Sequence, residues 1–143
     1  MERALEQARL AGGRDEVPVG AVVALNGQLV AEAGNCTRLG NDPTAHAEIV
    51  AIREACRALG GERLADCDLY VTLEPCAMCA AAISFSRIRR LYYGAPDVKG
   101  GAVEHGVRFF SSPSCHHAPE VYSGLSASES SRLLVEFFAG KRC

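Results

Sequence analysis

Apolar positions recur along the chain with two periods, and each change of period marks a new element. From Met1 to Gly12, Ala4, Leu5, Ala8 and Ala11 fall three or four apart, with Glu2, Arg3, Glu6, Gln7 and Arg9 on the other faces. That is the spacing of an amphipathic helix, and Gly12-Gly13 ends it. No capping residue precedes it, which suggests that Met1 lies inside the helix rather than ahead of it. Val19 to Leu25 and Gln28 to Ala33 are β-branched or small apolar runs split by Asn26-Gly27. This pair suits a type I′ turn, so the two runs predict a β-hairpin.

The loop from Gly34 to Pro43 holds Asn35, Cys36, Asn41 and Asp42, which form turns and caps rather than strands. Helical spacing returns from Thr44 to Leu59 through Ile49, Val50, Ile52, Ala55 and Cys56. Thr44 is near the expected N-cap, and Gly60-Gly61 stops the helix. Cys67 to Leu73 predicts a strand, Pro75 to about Ser84 a helix started by its proline, and Arg90 to Tyr93 another strand. The stretch after Gly94 is rich in Gly, Pro and charge and predicts loops around one short helical turn. Glu120 to Tyr122 predicts an edge strand, and Ser126 to Ala139 a closing amphipathic helix with Leu133, Leu134, Phe137 and Phe138 on its apolar side. A hairpin followed by alternating strand, helix and strand implies an α/β sandwich.

Composition narrows the function classes. At 143 residues and 48% hydrophobic, the chain can build one good core, and a single domain over residues 1–143 is expected. A formal net charge of -2 excludes coating nucleic acid through bulk positive charge. A local basic patch stays open: Arg87, Arg89 and Arg90 follow the Pro75 helix, Lys99 lies in the loose loop, and Lys141 and Arg142 close the last helix. Seven cysteines are an odd number, and charged residues begin immediately after Met1. A reducing, cytoplasmic setting with free or metal-bound thiols is therefore expected. The longest uncharged apolar run, Pro75 to Ser86, is well short of the roughly 20 residues of a membrane helix.

Two stretches carry candidate chemistry: His46-Ala47-Glu48 and Pro75-Cys76-Ala77-Met78-Cys79. A helix turns about 100° per residue, so residues two apart diverge in mid-helix. His46 and Glu48 can serve one site only from a helix end. Cys76 and Cys79, three apart in a first turn, face the same side and can chelate one ion, and the helix dipole favours their thiolates. One His and two Cys leave a tetrahedral position open, which marks a catalytic rather than a structural zinc. A Cys-x-x-Cys alone could equally be a redox pair, and a lone His at a helix start a capping residue; the combination points to zinc. Glu48 is then the proton carrier beside a metal-activated water. The other cysteines, Cys36, Cys56, Cys67, Cys115 and Cys143, are expected to be ordinary thiols, and His116-His117 is assigned no chemistry.

His-x-Glu with Pro-Cys-x-x-Cys is the signature of zinc nucleobase deaminases. The longer strings Pro18 to Val22, Asn41 to Ile49, Tyr70 to Ala80 and Ser86-Arg87-Ile88, with the closing Glu136-Phe137-Phe138, resemble bacterial tRNA-specific adenosine deaminases of the cytidine deaminase-like superfamily. That resemblance implies a three-layer α/β/α sandwich with a mixed five-stranded sheet, one zinc ion per chain, a homodimer, and a tRNA anticodon arm as partner. It also implies conversion of the wobble adenosine, position 34, to inosine, with attack at C6 of a flipped-out adenine and Glu48 serving N1 and the departing amine. Asn35, Asp97 and Phe138 match substrate contacts of that family. Read without the resemblance, Asn35 is a turn former and Asp97 a solvated loop residue. Pro96 departs from the polar residue common at its position. A deaminase of free guanine or cytosine, and a non-catalytic zinc-containing binding protein, remain the alternatives.

Overall fold

The computed structural model describes residues 1–141; Arg142 and Cys143 lie outside the described residues. Helix α1 spans Glu2–Gly13, strand β1 Gly20–Leu25, β2 Gln28–Gly34, helix α2 Ala47–Leu59 and β3 Cys67–Leu73. Helix α3 spans Ala77–Phe85, β4 Arg90–Ala95, β5 Glu120–Tyr122 and α4 Ala127–Lys141, with a single 3-10 turn at Phe109–Ser111. Positive φ angles at both Asn26 and Gly27 turn the β1–β2 hairpin as their identities predict.

The sheet runs in the order β2-β1-β3-β4-β5. Strand β1 is antiparallel to both neighbours, whereas β3, β4 and β5 are mutually parallel, so the sheet is mixed. Helices α1 and α4 pack on one face and α2 and α3 on the other, giving the three layers. Alternate strand residues Ala21, Val23, Leu69, Val71, Leu91 and Tyr93 form the main core with Ala47, Ala51, Ile52 and Ala55 of α2 and Ile83 of α3. On the opposite face α1 lies so close to β1 that a Cβ at Gly20 would sit 1.9 Å from the Ala4 carbonyl oxygen. Only glycine permits that approach. Farther along this face Tyr70, Tyr92 and Tyr122 stack across three strands, with centroids 4.6 and 4.9 Å apart.

Helix starts differ from the sequence expectation in a way that builds the site. Helix α2 begins at Ala47 rather than Thr44, with His46 as its N-cap in extended conformation. Asp42 Oδ1 accepts both the Thr44 N–H at 2.9 Å and its hydroxyl at 2.6 Å, so Thr44 closes a local turn instead of capping a helix. Helix α3 likewise begins at Ala77, with Cys76 extended at the N-cap and Pro75 ahead of the helix rather than in it. Met1 takes the N-cap position of α1, not an interior one.

In register, Leu73 of β3 lies beside Ala95 of β4, so the segments leaving both strands emerge at one end of the sheet. Open α/β sheets bind ligands at the carboxyl ends of their parallel strands. Helix α4 approaches this end from the other layer while burying only Ser130. It is held at its start by Arg9 to Glu129, 2.7 Å, and at its close by Lys141 to Asp15.

Candidate metal centre and active-site cleft

Two helix N-termini point at one spot. His46 caps α2, Cys76 caps α3, and Cys79 sits a turn farther, so all three side chains project off helix ends rather than from helix flanks. Their ligand atoms lie within 4.8 Å of one another. His46 Nδ1 is 3.6 Å from Cys76 Sγ and 3.5 Å from Cys79 Sγ. A tetrahedral zinc with ordinary Zn–N and Zn–S bond lengths requires an N to S separation of about 3.6 Å. The donor set and its spacing therefore fit zinc, and among the described residues no fourth His, Cys, Asp or Glu completes the group.

The electrostatics suit a cation. Cys76 is pushed down to about 4, chiefly because Cys79 donates a hydrogen bond to it and His46 stands beside it. The same bond, with burial, pushes Cys79 up, and a bound cation would favour the thiolate of both. Both helix dipoles present their positive ends to these thiolates. Glu48, in the first turn of α2, is only 4% exposed, and burial raises its carboxyl above the usual range. A carboxyl poised nearer neutrality can take up and return a proton.

A cleft of about 350 Å³ opens over this group. His46, Glu48 and Cys76 line its floor and Val17, Val19 and Leu73 its apolar walls, while Asn35, Thr37, Asp97 and Gly100 stand at its polar margin. Asn35 is buried, its backbone N–H fixed to the Val19 carbonyl at 3.0 Å. Asp97 Oδ1 accepts the Gly100 N–H at 2.9 Å. Phe138 is not in this cleft. It lines an adjoining one with Pro96, Val98, Lys99 and Leu134, and Val17, Leu73 and Asp97 belong to both.

Two buried carboxylates that the sequence reading passed over fix the margins. Glu16 accepts the backbone N–H groups of Arg38 at 3.2 Å and Leu39 at 2.7 Å, and so holds the loop carrying Thr37. Glu74 does the same for the loop after β4. Burial would raise the Glu74 carboxyl, but the backbone N–H groups and the His105 side chain around it hold it below its ordinary value. An acidic residue placed directly between an apolar strand and the Pro-Cys pair was the available signal.

The anticipated basic patch is divided. Arg89 and Arg90 lie at the start of β4, the opposite end of the sheet from the cleft, and are paired with Asp68 and Glu120. Lys141 is paired with Asp15; Lys99 lines a cleft, alone among the named cations that lie within the described residues. His117 Nε2 lies 2.8 Å from the Ile88 carbonyl, a structural contact. Cys36, Cys56, Cys67 and Cys115 are free thiols.

Comparison with known proteins assigns the family. The cytidine and deoxycytidylate deaminase zinc-binding region matches residues 1–95. The tRNA-specific adenosine deaminase of Agrobacterium fabrum is 70% identical over 142 residues, covering 99% of this chain and 93% of that protein. A structure from work on A-to-I editing by tRNA:A34 deaminases superposes with a TM-score of 0.93 at 71% identity, covering 94% of this chain and 97% of the other. The guanine deaminase of Nitrosomonas europaea superposes with a TM-score of 0.83 at 25% identity, covering 96% of this chain and 82% of the other. The chain belongs to the family of tRNA-specific adenosine deaminases, within the larger group of zinc-binding cytidine and deoxycytidylate deaminases.

Proposed function

We propose that this protein hydrolytically deaminates the wobble adenosine, position 34, of a tRNA anticodon to inosine. The observation that carries the reading is the His46, Cys76 and Cys79 group with buried Glu48 beside it at the floor of an open cleft, in a chain 70% identical to a tRNA-specific adenosine deaminase. His46, Cys76 and Cys79 would hold one zinc ion per chain. Bound there, zinc supplies the Lewis acidity that makes water nucleophilic near neutral pH. Glu48 takes the proton that water gives up, delivers it to N1 of the adenine and later assists departure of ammonia. Asn35 holds the base at the inner margin, Asp97 meets the flanking backbone, and Phe138 extends the wall towards neighbouring nucleotides.

Residues 1–143 act as one deaminase domain. Phe85, the last residue of α3, is 71% exposed, and burial of that apolar ring against a second copy would support a homodimer. Six free thiols among the described residues support a reducing, cytoplasmic setting. No described helix is long and apolar enough to cross a membrane.

The test is incubation of the purified protein with an anticodon stem-loop bearing adenosine at the wobble position, with inosine as readout. Free guanine and cytosine run beside it. The likeness to a guanine deaminase favours the second reading, a free-base deaminase. Ammonia from free guanine with no inosine in the stem-loop would establish that reading instead.

A further inference from the structure

Glu74 lies just past the strand that leads to Cys76 and lines the cleft over His46 and Cys76, and its carboxylate reaches the loop after β4. The carboxylate has no solvent exposure. Its Oε2 accepts the N–H groups of Val103 at 3.1 Å, Glu104 at 2.9 Å and His105 at 3.1 Å. Its Oε1 accepts the Asp97 N–H at 3.0 Å and lies 2.7 Å from His105 Nδ1. Two points of one loop, eight residues apart, are thus held on a single side chain. Gly101 lets the loop fold back over it, since a Cβ there would lie 2.5 Å from the Glu74 carboxyl carbon. The segment so closed contains Asp97 and Gly100 of the first cleft and Asp97 and Lys99 of the second.

We propose that Glu74 is a positioning residue for RNA binding: it holds residues 97–105 as a preformed wall, so that Asp97 and Lys99 meet the nucleotides around the target base without a loop-ordering cost. The inference rests on the reading of the cleft as the site of an adenosine in RNA. A carboxylate is required because all five groups around it can donate. Glutamine presents an NH₂ where one oxygen stood, so it opposes two or three donors and accepts from the rest. A mobile loop must then be ordered at each binding event, which weakens binding while leaving the chemistry of the bound complex in place.

The experiment compares the full-length zinc-loaded protein with Glu74→Gln and with the milder His105→Ala, which removes a single side-chain donor. For Glu74→Gln, KM for the anticodon stem-loop is expected to rise about tenfold, the equivalent of about one lost charge-assisted hydrogen bond, with kcat within about threefold. His105→Ala should raise KM less. Amide hydrogen exchange should rise at 97–105 in both variants and stay unchanged in α2 and α3, with zinc content equal to the parent. Unchanged exchange at 97–105, or a loss confined to kcat, would overturn the proposal. The exchange readout needs no substrate, so a parent protein that forms no inosine would overturn the RNA reading and still decide whether Glu74 orders the loop.

Discussion

Arg89 and Asp68 face each other through two parallel hydrogen bonds of 3.1 Å at the end of the sheet remote from the cleft. The guanidinium ties the entry of β4 to the start of β3, so its charge is structural. Arg89→Ala is expected to lower the denaturant midpoint only slightly, because the arginine is largely in water and solvent screens the pair. KM for a stem-loop substrate should stay within about twofold, since the lost charge is not at the cleft. A denaturant midpoint and a salt titration of binding check the two halves; a reduced salt dependence would place Arg89 on the RNA after all.

Glu48→Ala is expected to lower turnover by at least ~10²-fold with unchanged zinc content, because it removes a proton carrier and not a ligand. Metal analysis beside inosine formation is the check. Loss of zinc in the variant would assign Glu48 to the coordination sphere.

Cys76→Ser should show the opposite division. The hydroxyl does not ionise near neutral pH, so metal affinity and stability are expected to fall together. Chelation of the parent protein should lower its melting temperature towards that of the variant and leave the variant's own value unchanged. Equal zinc content in the two proteins contradicts this.

The fold was largely legible because its elements are patterned locally. The Asn26-Gly27 hairpin, the Cys67–Leu73 strand and the three-residue β5 followed from composition and period. Two of the starts that shifted, at Thr44 and Pro75, are places where a side chain or the chain's exit from β3 dictates the local backbone, and neither leaves a trace in hydrophobic spacing. That His46, Cys76 and Cys79 come together was legible from residue type and spacing. Glu16 was not, because a buried carboxylate that binds backbone N–H groups reads in one dimension like any surface acid, and the one signal for Glu74 was its place between an apolar strand and the Pro-Cys pair. The remoteness of Arg89 and Arg90 from Cys76 was equally hidden. It follows from the parallel pairing of β3 and β4, which sends the start of one strand away from the end of the other.

The attachment of α4 should depend on pH. Lys141, donating to Asp15, and the nearby Arg38 hold the Asp15 carboxyl below its ordinary value. A depressed folded-state value means the stabilisation is present above the ordinary aspartate pKa of about 4 and is lost as pH falls through the lower one. Protection of the amides in the last turn of α4, taken relative to the intrinsic exchange rate at each pH, should therefore fall on acidification in the parent protein. In Asp15→Asn that protection should be low already at neutral pH and change little with acid.

His46 and Cys76 are 30 positions apart, and the chain between them makes all of α2 and β3. An ion gripping both ends is topologically a cross-link. Because the unfolded chain offers no preformed site, the ion's binding free energy would add directly to the stability of the folded state. The centre would then act as a clasp for the middle of the sheet as well as a reagent, so that a chain unable to load metal would be short of both activity and folded lifetime.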